Sequence, residues 1–400
     1  MKASKTLITS LLLSLGLVSH SAFASEFVYI TTGQDMTTES LVHMKSNHPM
    51  EIVKEENGIS LIKVHKDSLE DISHVAHEEH KRCGGYIFHN SLEEAQKEMN
   101  STAIKAFAKE VVFADYSLDQ EVTVQNLLPE VTEIKIRETI LKLSSFKNRY
   151  YQSRTGVESQ DWLYDLWKSF APNRSDFTVE KYEHPSWMQP TVIATIKGKS
   201  DETIVIGGHG DSIAGFWGRA NAKAPGADDN ASGIATLTEV LRVLLNSNYK
   251  PEKTIQFMSY AAEEVGLRGS KEMARMYKGQ NKNVIGVLQL DMTNYNGSSL
   301  DILLVNDFTN EAQNKFLGSL IDKYLPGVSW GYTKCGYACS DHASWTGEGF
   351  PASAPFEAEK RDMNGHIHTS RDTLDQSDGT ADHAQKFAKL ALAYALELDR

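Results

Sequence analysis

Cysteine is scarce: three in 400 residues, too few for a disulfide scaffold. A surplus of positive charge is also missing. Lys and Arg number 41 against 53 Asp and Glu, and a net charge of −12 argues against general binding to nucleic acid or an anionic membrane. Beyond residue 24 no run is apolar enough to cross a bilayer, and no internal repeat or low-complexity linker is visible. What is present is ordinary globular material. Hydrophobic residues make up 40% and charged residues 24%, enough to bury a sizeable core.

The first stretch reads as an address. Lys2 and Lys5 precede an apolar run from Leu7 to Val18, and Ala22-Phe23-Ala24 supplies a small-residue exit. Residues 1–24 are therefore expected to be a signal peptide, and the protein to be exported. Residues 25–112 differ in character from the rest of the chain, being rich in Glu, Lys, His and Ser, with alternating runs at Glu26–Ile30 and Ile59–Val64. From its position this block is expected to be a prosegment. His74, His77, His80 and Cys83 recur every third residue, so a helix would stack them on one face. That stripe reads as a metal site or as a polar helix face.

From residue 113 the pattern becomes α/β. Helical periodicity covers Thr132–Ser144, Gln160–Ser169, Ala231–Leu245, Arg268–Tyr277, Asn310–Tyr324 and Ala381–Leu398. Between these lie strand-like runs at Thr191–Ile196, Thr203–Ile206, Thr254–Met258, Val284–Leu290 and Leu300–Val305. Apolar strands separated by amphipathic helices predict one catalytic domain, a three-layer sandwich around a mixed, mostly parallel sheet.

Chemistry-bearing residues gather where those strands end, the place where ligands collect in open α/β sheets. His209 closes one strand and Asp211 could hold its imidazole in one tautomer. Asp228 and Asp229 precede a helix and could simply cap it, although Asp229 could instead bridge two cations. Glu263 and Glu264 are adjacent, so one could bind a metal while the other faces a metal-bound water. Asp291 ends a further strand, and either His366 or His368 could join the set. So many acids in one cleft would repel each other. Two divalent ions resolve the repulsion, and mixed imidazole and carboxylate ligation suits zinc. In an exported chain Cys335 and Cys339 are expected to form a disulfide, with a Cys-x3-Cys metal site as the alternative. Asn230-Ala-Ser232 matches a glycosylation acceptor but lies inside the proposed metal loop.

Taken in order, Gly208-His-Gly-Asp-Ser212, Pro225-Gly-Ala-Asp-Asp-Asn-Ala-Ser-Gly233, Ala262-Glu-Glu-Val-Gly266, Leu290-Asp291, Cys335-Gly-Tyr-Ala-Cys-Ser-Asp-His342 and Ile367-His-Thr369 resemble the secreted bacterial leucyl aminopeptidases of the M28 metallopeptidase family, the Vibrio/Aeromonas dizinc type. The resemblance runs from about Asp115 to Arg400. It implies one zinc on His209, Asp291 and Asp229, and a second on Asp229, Glu264 and His368. It also implies Glu263 as general base, Asp211 as the residue that orients His209, and a cis peptide after Asp229. Asn230 stands where the closest relatives carry Asp. The position is not a ligand, so the change is expected to be tolerated.

The reaction so implied removes the N-terminal residue of a peptide. A water or hydroxide shared by the two ions attacks, and Tyr337 hydrogen-bonds the oxyanion. Met292, Val305, Phe356, Met363 and Ile367, with Tyr337 and Cys339, are the expected walls of a pocket for an apolar residue such as Leu. Glu357, Glu359, Lys360 and Arg361 occupy the same stretch, and an acidic rim would favour Lys or Arg instead. The enzyme is expected to act as a monomer on peptides with a free N-terminus. Two competing readings are an M28-type carboxypeptidase, for which Arg219, Arg361 and Arg371 are available, and a glutaminyl cyclase with one zinc. A third is a catalytically inactive binding module stabilised by its metals.

Overall fold

A computed structural model describes residues 26–36, 48, 50–78, 80, 82, 85–107, 112–215 and 218–400. The expected signal peptide and Cys83 lie outside them.

Two units follow one another along the chain. The first contains β1 (Phe27–Gly33), β2 (Glu51–Glu56), β3 (Ile59–His65), α1 (Leu69–Glu78), β4 (Ile87–His89) and α2 (Leu92–Phe107). Its strands form an antiparallel sheet in the order β2-β3-β1-β4. The two alternating runs are β1 and β3. Alternate residues Val28, Ile30, Ile62 and Val64 meet Ile72 and Ala76 of α1 in a small core. Of the stripe His74, His77, His80 and Cys83, the first two fall on α1 and Cys83 lies outside the described residues. Helix α1 stops at Glu78, and its end is wrapped by a bond from the His80 amide to the Val75 carbonyl at 3.4 Å, so His80 leaves the face that carries His74.

The second unit contains α3 (Glu121–Leu127), α4 (Glu133–Ser144), α5 (Arg154–Phe170), β5 (Phe177–Tyr182), β6 (Thr191–Ile196), β7 (Glu202–His209), α6 (Gly233–Asn246), β8 (Thr254–Tyr260), α7 (Arg268–Gly279) and β9 (Asn283–Gln289). It continues with β10 (Ile302–Val305), α8 (Glu311–Tyr324), β11 (Trp330–Thr333), α9 (His342–Glu348), β12 (Ala352–Ser353), β13 (Pro355–Phe356) and α10 (Asp382–Leu398). The main sheet has the order β12-β9-β7-β8-β6-β5. Strands β12, β9, β7 and β8 run parallel, whereas β6 and β5 are antiparallel additions.

Residue parity explains the three layers. Ile204, Ile206, Ile255, Phe257 and Leu288 face one way, into a core shared with α4, α5, α6, α8 and α10. Val205, Met258 and Val287 face the other way, against Met273 and Tyr277 of α7 and Trp345 of α9. Strands buried on both faces read as continuous apolar runs, which is why the sequence marks them clearly. Some elements differ from expectation, among them β5 and β10. Strand β5, half exposed at the sheet edge, was not expected, because Phe177, Val179 and Tyr182 are interspersed with polar residues over too short a run to stand out. The Leu300–Val305 run becomes β10 in a separate sheet with β11 and β13, outside the main one.

Candidate metal centre

The carboxyl ends of β7, β8 and β9 deliver His209, the Glu263–Glu264 pair and Asp291 to one place, and two further loops add Asp229 and His368. Asp229 stands between the two imidazoles. Its Oδ1 is 3.1 Å from His209 Nε2, and its Oδ2 is 2.9 Å from His368 Nε2. His209 Nε2 is also 3.3 Å from Asp291 Oδ1, and His368 Nε2 is 3.0 Å from Glu264 Oε2. All five side chains are buried. His366, two residues away, is not in this constellation. The peptide between Asp229 and Asn230 is cis. Asn230 donates to the Leu290 carbonyl at 3.0 Å and accepts from the Gly233 amide at 2.9 Å, tying the Asp229 loop to the strand that carries Asp291.

Local backbone conformation aims these groups. Ala262, Met292 and His368 all have left-handed φ, at 58°, 56° and 56°. Such bends cost about 1–3 kcal/mol each in a non-glycine residue and collect where a site must be built. Asp211 reinforces one of them. Its carboxylate accepts the amides of Glu263 and Glu264 at 3.0 and 3.2 Å while lying 3.4 Å from His209 Nδ1.

The electrostatics call for cations. Burial pushes the Glu263 carboxyl well above its ordinary value. Burial, with the neighbouring Asp229 charge, takes Glu264 up to about 7. His209 is buried too, yet Asp291 and Glu263 hold its value well up, and Glu264 and Asp229 take His368 up to about 10. Among the described residues both Glu263 oxygens are buried without a hydrogen bond. His209, Asp229 and Glu264 offer donor atoms within 4.8 Å of one another. Two imidazole nitrogens, three carboxylates and one unengaged carboxyl beside them fit a binuclear zinc site.

The layer behind this set was only partly visible in the sequence. Asp228 is not a helix cap. It is buried, accepts from the Asn294 amide and Asn364 Nδ2 at 3.2 Å each, and faces Glu357. Burial raises Asp228 to about 6 and pushes Glu357 well above the ordinary carboxylate range. Asp372 accepts the amides of Asp228 and Asp229 at 3.1 Å each. Arg149, fully buried, donates to the carbonyls of Gly210 and Gly226 at 3.0 and 2.9 Å, spanning the loops of His209 and Asp229. Ser340 donates to Asp291 at 2.5 Å. Ser340 lies within the Cys335–His342 motif and Asp372 three residues beyond Thr369, which was their one signal. Arg149 had none.

Met292, Val305, Tyr337, Cys339, Phe356, Met363 and Ile367 come together, with Ala354, in a single apolar cluster. Met292 follows Asp291 and Ile367 precedes His368, so the cluster borders the constellation directly. Cys335 and Cys339 form a disulfide, with Cα atoms 6.1 Å apart. Glu357 and Glu359 do not build the alternative acidic rim. Glu357 turns inward to the amides of Tyr295 and Asn364, and Glu359 lies 3.7 Å from Arg361.

The first unit is seated against this region. Arg82 places its guanidinium 4.5 Å from the Tyr337 ring centroid, and Ser73 reaches the Glu264 carbonyl at 3.5 Å. The Phe88 amide donates to Gly266 at 3.2 Å, at a glycine whose φ is 103° and whose added Cβ would meet Phe88 at 2.8 Å. Lys271 of α7 enters a cup of the Phe88 carbonyl, His89, Glu98 and Glu94 at 2.7, 2.9, 2.8 and 3.2 Å. Crevices of about 640 and 440 Å³ remain along the junction.

The profile of peptidase family M28 matches residues 191–395. Leucine aminopeptidase 1 of Ajellomyces dermatitidis is 38% identical over 306 residues, 74% of this chain and 78% of that protein. Among solved structures, LapB of Legionella pneumophila superposes with a TM-score of 0.80 at 30% identity, covering 94% of this chain and all (100%) of the other, a share that includes the first unit. The LapA aminopeptidase of the same organism superposes at 0.78 with 29% identity, over 93% of this chain and 98% of its own. The chain belongs to peptidase family M28. Within that family, its fold, its buried histidine and carboxylate constellation and these relatives make it a metallo-aminopeptidase.

Proposed function

We propose that this is an exported dizinc aminopeptidase that releases apolar N-terminal residues, Leu among them, from peptides. The observation that carries this reading is Asp229, reaching one histidine with each oxygen at 3.1 and 2.9 Å, beside a buried carboxyl, Glu263, that is left unengaged. His209, Asp229 and Asp291 would hold one zinc, and Asp229, Glu264 and His368 the other. When bound, the ions supply Lewis-acid polarisation of the scissile carbonyl and a water acidic enough to attack it. Glu263 takes the proton of that water and passes it to the leaving amine. Asp211 keeps His209 and the Glu263–Glu264 turn in register. Tyr337 supports the developing oxyanion, and the apolar cluster around Met292 and Ile367 receives the N-terminal side chain.

We read residues 1–24 as the leader and 25–112 as a prosegment that covers the site, because Arg82 and Ser73 lie against Tyr337 and the Glu264 backbone. The test is a panel of aminoacyl-nitroanilides, run on the zinc-loaded protein before and after limited proteolysis, with and without chelator. Leu and Met substrates should be cleaved, chelator should stop the reaction, and an N-acetylated substrate should be left intact. Cleavage of the acetylated peptide from its carboxyl end would establish the carboxypeptidase instead. Two bound zinc ions with no turnover would establish the inactive module.

A further inference from the structure

Lys360 brings a charge onto an otherwise apolar surface. Its ammonium lies 5.6 Å from the Tyr337 ring centroid, 5.9 Å from that of Phe356 and 3.0 Å from Met363 Sδ. All three residues belong to the cluster beside His368 and Asp291. The acids nearest in sequence are occupied elsewhere: Glu359 and Asp362 lie 3.7 and 3.3 Å from Arg361. Glu357 is buried, with its two oxygens on the Tyr295 and Asn364 amides at 2.8 and 3.2 Å. Among the described residues no carboxylate forms an ion pair with Lys360. Arg82 approaches the same Tyr337 ring, but it comes with a counter-charge of its own, Asp35.

We propose that Lys360 is a specificity-determining residue that sets the pocket against N-terminal Lys and Arg. The inference rests on reading the cluster as the site of the substrate's N-terminal side chain. The ring faces of Tyr337 and Phe356 hold the ammonium at the pocket wall. A neutral side chain can enter beneath it, but a cationic one meets a like charge with no acid to offset it. Two unit charges about 6 Å apart, at an effective dielectric of roughly 40, cost close to tenfold in rate.

The test compares kcat/KM for Leu-, Lys- and Glu-nitroanilide in zinc-loaded wild type, Lys360→Arg, Lys360→Met and Lys360→Glu, each after the same limited proteolysis. The Lys-to-Leu ratio should be low in wild type and in Lys360→Arg. It should rise about tenfold in Lys360→Met and further in Lys360→Glu, while the Glu-to-Leu ratio falls in the same order. A control at a distant exposed lysine, Lys315→Met on α8, should move neither ratio. If Leu-nitroanilide is cleaved but Lys360→Met leaves the Lys-to-Leu ratio within about twofold of wild type, or if wild type prefers Lys, the inference fails while the aminopeptidase reading stands. If no aminoacyl substrate is cleaved by any zinc-loaded form, that reading fails and takes this one with it.

Discussion

In the proposed mechanism the neighbours Glu263 and Glu264 have opposite tasks, and their contacts differ. Glu264 lies 3.0 Å from His368, whereas among the described residues no histidine, lysine or arginine comes within ion-pair distance of the Glu263 carboxyl. Glu263→Gln keeps the shape and removes the base. It should lower kcat by a factor of about 10²–10⁴, with two zinc ions per chain still found by elemental analysis. Loss of one ion in that variant would make Glu263 a ligand and overturn its role. Asp211 works through other residues, since it accepts two amides and lies beside the Nδ1 of His209. Asp211→Asn turns one acceptor into a donor facing those amides. Zinc affinity, measured by competition with a chromogenic chelator, should fall about 10–100-fold, as for other residues that orient a metal ligand.

At the scale of elements, the latch between α7 and the first unit is a charged one. His89 faces Lys271 from α7, Thr31 from β1, and Glu94 and Glu98 from α2, with Arg275 reaching both glutamates and Glu348 of α9. Burial and the Lys271 charge hold the His89 imidazole below its ordinary value. The docked state therefore prefers it neutral. Its contribution is full above about pH 6.5, the value of a free imidazole, and is lost progressively below that. Glu94 and Glu98 are held below their ordinary values, against the cost of burial, by His89, Lys271 and Arg275. Their contribution is present above about pH 4.5 and fades as pH falls further. Both effects have one sign: docking weakens in acid. Protease susceptibility of the junction should rise between pH 7.5 and pH 5.5, and His89→Gln should flatten that dependence.

The same scale shows what could be read without coordinates. Strands β7, β8 and β9 are buried on both faces and flanked by amphipathic helices, so their apolar runs and their terminal His, Glu and Asp stood out together. Edge strand β5, with Glu180 and Lys181 facing water, carries no such mark. The pairing of β10 with β11 and β13 is a tertiary choice that periodicity does not encode. The candidate ligands were legible because each sits at a strand or loop end in a recognisable order. Arg149 was not, because a buried arginine that donates to carbonyls leaves no pattern in its own neighbourhood.

At the scale of the whole molecule, the metal centre ties together loops drawn from residues 209 to 368, so ion binding should also stabilise the fold. A ligand at a thousand times its Kd contributes about 4 kcal/mol to the bound state. Chelation should therefore lower Tm by roughly 5–10 °C, recovered on adding zinc back, in scanning calorimetry. An unchanged Tm would mean that these loops are held by their own hydrogen bonds, without a contribution from bound ions.

The seating of Arg82, Phe88 and the cup around Lys271 has a consequence for activation. If residues 25–112 are a prosegment, as proposed, cutting the connector and baring the metal centre would be separate events, because nothing in those contacts depends on an unbroken chain. After scission the two fragments would remain a bimolecular complex, inert at high protein concentration and waking as it is diluted into the medium.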